Sequence, residues 1–142
     1  MSYTLSLETD ARPEDRSLIL DGLTAHNLKF APSGDVTGLS VLVRDDENRT
    51  VGGLLGGTFW GWLYIELLWL PEDARHEGIG TRLVQMAEDE ALARSCYHVY
   101  LDTQSFQARE FYEKLGYSLF GVLDDFPLGH KRYYLQKALT SP

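Results

Sequence analysis

Apolar residues along this chain recur at two spacings, and the switches between them outline its elements. Tyr3 to Glu8 alternates apolar with polar and predicts an edge strand. Asp10 and Pro13 then open a helix, with Glu14 and Asp15 in its first turn. Leu18, Ile19, Leu23 and Leu28 run along it until Pro32 stops it, and Gly22 blurs the period. After a loop over 31–38, Leu39 to Val43 predicts a strand, Asp45 to Asn48 a turn, and Thr50 to Phe59 a returning strand. The glycine pairs Gly52-Gly53 and Gly56-Gly57 in that strand fit either a bulge or loose packing against bulky neighbours. Trp60-Gly61 turns the chain into Trp62 to Leu70, which completes three meandering antiparallel strands.

The spacing changes after Pro71. A polar loop closes on Gly78-x-Gly80, and a helix over 78–94 follows, with Ile79, Leu83, Met86, Ala87 and Ala91 on one face. His98 to Asp102 predicts a short strand. Ser105 then caps a helix over 106–115 that Gly116 ends, with Ala108, Phe111, Tyr112 and Leu115 inward and Glu110 and Lys114 paired outside. Tyr117 to Val122 and Lys131 to Gln136 are the last strands, joined by the loop Asp124 to His130. This order predicts one domain over 1–142 of mixed α/β class. The helix between the fourth and fifth strands lets those two pair in parallel through a right-handed crossover.

Composition narrows the class. A chain of 142 residues holds one core and is too short for two. A net charge of −8 argues against a nucleic-acid partner and mildly favours a cationic one. The single cysteine, Cys96, allows no internal disulfide and no cysteine-based zinc site, and it reads as a small core hydrophobe. No cluster of His, Asp and Glu has metal-ligand spacing, so no metal is expected. The start has no charged segment leading into an apolar one, and no apolar run is long enough to cross a bilayer. The expectation is a cytoplasmic protein without membrane attachment.

Two places carry candidate chemistry. At the Gly78-x-Gly80 helix start, no side chain stands over the free N–H groups, and the helix dipole adds positive potential. Arg75 brings a permanent charge, so the loop is an anion site suited to a pyrophosphate. It lacks the lysine of a nucleoside triphosphatase loop, and Leu83 stands where a dinucleotide fingerprint needs a third glycine. The second place is Glu66, a lone carboxylate in a strand apolar on both faces. It must be paired, solvated or protonated, and burial would raise its pKa. It is either a general base or substrate anchor, or a carboxylate satisfied by a neighbouring cation.

Arg75-x-x-Gly78-x-Gly80 resembles the acyl-CoA loop of the GCN5-related N-acetyltransferases. The stretch Ser105 to Tyr117 resembles that family's Asn-x-x-Ala-x-x-Phe-Tyr-x-x-x-Gly-Phe segment, with Ser105 replacing the asparagine. Two motifs in the right order are more specific than either alone, and the resemblance covers 39–137 well. It implies a mostly antiparallel sheet with flanking helices, whose parallel fourth and fifth strands splay apart to take the pantetheine arm of acetyl-CoA. By resemblance the backbone of Leu68, Trp69 and Leu70 holds that arm. By the same resemblance Arg75, His76, Glu77, Gly78, Ile79, Gly80 and Thr81 hold the pyrophosphate, Phe111 faces the cofactor, and either Ser105 or Gln104 substitutes for the family's asparagine in contacting it.

The implied reaction moves an acetyl group to a primary amine by direct attack in a ternary complex. Glu66 accepts the amine's proton, and Tyr112 gives a proton or hydrogen bond to the departing thiolate. The acceptor is a small-molecule or peptide amine, and a homodimer is expected because dimers are common in the family. The alternative is an inactive acyl-CoA-binding module serving as sensor or subunit. By resemblance the first helical region borders the acceptor site, which makes His26, Asn27 and Phe30 candidate substrate contacts. Asp124 and Asp125 are candidates to face a cationic substrate and His130 a candidate second acid or base, but ordinary core, surface, turn and loop roles suit all six better.

Overall fold

The computed structural model describes residues 2–139. It divides into two compact units, Met1–Gly34 and Asp35–Pro142. In the first, helix α1 spans Pro13–Asn27, with proline at its start and Glu14 and Asp15 in its first turn. It ends on Leu28, ahead of Pro32. The strand expected over Tyr3 to Glu8 is absent. Alternation makes a strand only where a free edge offers ladder partners, and residues 3–8 pair with no strand.

The second unit is a six-stranded sheet flanked by helices. Its strands are β1 (Thr37–Arg44), β2 (Thr50–Phe59), β3 (Trp62–Trp69), β4 (His98–Gln104), β5 (Ser118–Asp124) and β6 (Lys131–Ala138). They lie in the order β1-β2-β3-β4-β6-β5, antiparallel throughout except for the parallel β3–β4 pair. Because the N-terminal strand is missing, the parallel pair is the third and fourth strands rather than the fourth and fifth. Helix α2 (Ile79–Ala93) makes the crossover between them, and the short α3 (Arg109–Lys114) follows β4.

The core lies between the sheet and α2. Leu54, Leu63, Val99, Leu101 and Leu135 alternate inward from four adjacent strands and meet Leu83, Val84, Ala87 and Ala91 of α2. The buried stripe runs through Leu83, Val84, Ala87, Glu88 and Ala91, and Met86, expected inward, is exposed because two residues on from Val84 it falls on about the opposite side of the helix. Cys96 is buried at the helix end as expected. Leu101 has 1% of its surface exposed, at the middle of the sheet. Leu101→Ala should therefore cost about 2–5 kcal/mol of unfolding free energy, measured by urea denaturation.

One irregularity shapes the site. Leu55 of β2 pairs with Leu67, but Gly56 pairs with Ile65, so Glu66 is a surplus residue bulged out of β3. Gly56 permits the close approach, since a Cβ there would sit 2.2 Å from the Tyr64 carbonyl oxygen. The parallel ladder runs from Trp62–His98 to Ile65–Leu101 and stops at this bulge. Beyond it β3 pairs only with β2, and β4 only with β6. The two strands part, leaving a wedge between them. Among the described residues no helix is long and apolar enough to cross a membrane.

Candidate active site

The wedge opens into a cavity of about 690 Å³. One wall is the freed end of β3 from Ile65 to Leu70, and the floor is the loop carrying Arg75, His76, Gly78, Gly80 and Thr81. The facing wall is the end of β4 with the turn into α3: Asp102, Thr103, Phe106, Gln107, Ala108, Phe111 and Tyr112. The apolar end of β3 is open, with Leu67 56% and Trp69 59% exposed. A strand that has lost its neighbour also keeps unpaired main-chain donors and acceptors along that edge.

The loop is built to leave amides free. After Pro71 a short 3₁₀ turn (Glu72–Ala74) lets Arg75 fold back, so that its Nε donates to the Leu70 carbonyl at 3.0 Å. Among the described residues the terminal nitrogens of Arg75 have no partner. His76 at φ 69° and Gly78 at φ 75° take left-handed backbone, which swings the chain into α2. No side chain caps that helix, and the first amide to find a main-chain acceptor is that of Arg82, on Gly78 at 3.1 Å. The preceding N–H groups and the helix dipole thus face the cavity floor. Gly80 lies against the ring of Phe111, with 3.3 Å between its would-be Cβ and that ring.

Glu66 lines the cavity but is exposed, not buried as the apolar run suggested. The run looked like a central strand, yet one of its neighbours leaves at Ile65. Tyr112 is buried at 6% exposure, its ring edge-on to Phe111 at 5.0 Å and to Tyr117 at 5.7 Å. Burial, and then the negative charge of Asp102, push its phenol up to about 12. Its hydroxyl has no hydrogen-bond partner among the described residues. Behind it, Tyr117 donates to Glu88 Oε2 at 2.7 Å, and Lys137 Nζ is 3.1 Å from both Glu88 oxygens. That buried network fixes the floor on which the Tyr112 ring rests.

Of the residues expected at the site, Glu66, Leu68, Trp69, Leu70, Arg75, His76, Gly78, Gly80, Thr81, Phe111 and Tyr112 are brought together. Glu77, Ile79 and Ser105 do not line the cavity. Ile79 packs against the core instead. Ser105 does not cap a helix either: α3 begins at Arg109, with Ala108 as its cap. Its hydroxyl accepts from the Lys131 amide at 3.1 Å and lies 3.3 Å from His130 Nδ1. His130 meets Phe106 edge-on at 5.0 Å. Asp125 accepts from the Gly129 amide and Asp124 pairs with Lys131, so both acids serve their own hairpin. His26, Asn27 and Phe30 belong to the first unit.

Three wall residues escaped the sequence reading. Asp102 accepts from the Tyr64 hydroxyl at 3.0 Å and from Arg132 Nε at 2.8 Å. Burial and Asp102 together raise Tyr64 to about 12. Thr103 and Gln107 close the turn that Ser105 was expected to cap: the Thr103 hydroxyl donates to Gln107 Oε1 at 3.1 Å and accepts from the Ala108 amide at 3.4 Å. Asking where the turn's amides find acceptors would have singled out these two side chains.

Comparison with known proteins shows the family. Residues 5–117 match the family model described as the acetyltransferase (GNAT) family. The chain is 39% identical over 137 residues to the acetyltransferase Atu2258 of Agrobacterium fabrum, covering 96% of this chain and 98% of that one. It is 37% identical over 95 residues to a blasticidin-S acetyltransferase of Streptomyces morookaense, covering 66% of this chain and 70% of that one. The crystal structure of an acetyltransferase from Bacillus cereus ATCC 14579 superposes with a TM-score of 0.84 at 30% identity, over 94% of this chain and 98% of that one. The chain therefore belongs to the GNAT family of acetyltransferases and is an acyltransferase.

Proposed function

We propose that the protein transfers the acetyl group of acetyl-CoA to a primary amine of a small molecule, by direct attack within a ternary complex. The carrying observation is the pairing of two features: free amides at the start of α2 beside Arg75, and an unpaired, apolar β3 edge leading from them to Glu66. A diphosphate suits the first and an extended pantetheine arm suits the second. The small-molecule acceptor follows the antibiotic-acetylating relative and the acidic balance of the chain. Cavity and loop lie wholly within the second unit.

In this reading the amine nitrogen bonds to the thioester carbonyl carbon, the carbon–sulfur bond breaks, and its electron pair leaves on sulfur. Once bonded to that carbon the nitrogen is far more acidic than a free ammonium, so the exposed carboxylate of Glu66 can take its proton, directly or through water. Tyr112 faces the sulfur from the other wall. A phenol at about 12 is a poor acid toward a thiolate whose conjugate acid lies near 8.5. Outright transfer would be uphill by about 5 kcal/mol, so Tyr112 stabilises the leaving thiolate by a hydrogen bond and keeps its proton.

The test is thiol release from acetyl-CoA across a panel of small primary amines. Amine-dependent release is expected; binding of acetyl-CoA without release for any amine would favour the inactive module. Arg75→Ala should raise the KM for acetyl-CoA roughly tenfold with kcat little changed, because it removes uniform binding of the diphosphate.

A further inference from the structure

Gln107 stands on the cavity wall opposite β3, and its side-chain amide is oriented without ambiguity. The main-chain N–H of Gln104 lies 2.8 Å from one amide atom of Gln107. A backbone N–H can only donate, so that atom must be the oxygen Oε1. The Thr103 hydroxyl donates to the same oxygen at 3.1 Å. Two donors therefore lock Oε1 inside the turn, and Nε2 is left with two N–H groups and no partner among the described residues. Gln107 is exposed on the wall of a cavity that also carries Glu66, Arg75, His76, Thr81 and Asp102, and its fixed pair of donors suits the carbonyl oxygen of a bound ligand.

We propose that Gln107 is a binding residue whose Nε2 donates to an amide carbonyl of the pantetheine arm, holding the arm against β3. The inference rests on the acyl-CoA reading above. Ser105, expected to face the cofactor, lies outside the cavity with its hydroxyl engaged by the Lys131 amide, whereas Gln107, two positions on, lines it. Oε1 shapes the turn and Nε2 reads the ligand, so the two duties can be separated by substitution.

Gln107→Glu keeps an oxygen to accept from Gln104 and Thr103 but replaces the donor with a second acceptor. Its thermal melting should match the wild type. By titration calorimetry its Kd for CoA should rise roughly tenfold. Adenosine 3′,5′-bisphosphate has no pantetheine arm, so its Kd should stay within about twofold. An unchanged Kd for CoA in the folded variant overturns the proposal. Equal weakening of both ligands also overturns it, because that is the signature of added negative charge acting at a distance. If wild-type protein fails to bind CoA at all, the acyl-CoA reading falls first and this one with it.

Discussion

Replacing Tyr112 with phenylalanine should lower kcat about a hundredfold while leaving the KM for acetyl-CoA nearly unchanged, since only a contact made to the departing sulfur is lost. The ring remains, so its packing on Phe111 and Tyr117 and the Glu88 network behind it persist. Melting temperature should confirm this. The pH dependence carries its own sign. Tyr112 is raised from the usual 10.0 to about 12, so the neutral phenol is the form the fold favours. Its stabilising contribution is complete below pH 10 and is lost as pH climbs through about 12. Tyr64, held by Asp102, follows the same course. Activity should accordingly show no loss from Tyr112 ionisation between neutral pH and 10, with phenolate absorbance and unfolding rising together above it. A Tyr112→Phe variant with wild-type kcat would remove the leaving-group role and leave the cofactor site intact.

Glu66→Gln should cut kcat by about a hundredfold or more. The amide preserves size and the bulge but cannot accept a proton. A substrate anchor behaves differently: the KM for the amine would rise and kcat would survive. Because Glu66 is exposed at the β3 bulge, the substitution should leave unfolding free energy within about 0.5 kcal/mol, which separates a chemical from a structural effect.

Much of this architecture was legible in residue order. Alternation located the six strands of the sheet, and the switch to helical spacing after Gly78 located α2, because both periods report burial on one face. What escaped depends on partners distant in sequence. Tyr3 to Glu8 has the right pattern for a strand, but no local pattern says whether an edge is available. Leu67 to Trp69 is as apolar as a buried strand, yet Leu67 and Trp69 are exposed because the neighbouring strand departs at Leu101. Ser105 is a good cap residue by type, yet α3 starts later, at Arg109, and Thr103 with Gln107 instead holds the turn that precedes it. The loop from Arg75 to Thr81 was readable since its chemistry is main-chain and local; Asp102 was not, since its partners are Tyr64 and Arg132.

The surplus residue in β3 has an arithmetical consequence. The cleft owes its existence to a count: one strand carries one more residue than its neighbour across the span from Leu55 to Gly56. Deleting a single position there would heal the ladder, let β3 and β4 zip onward past Ile65, and seal the slot with main-chain hydrogen bonds. Such a chain could gain order in its sheet while losing the place where an extended ligand would lie.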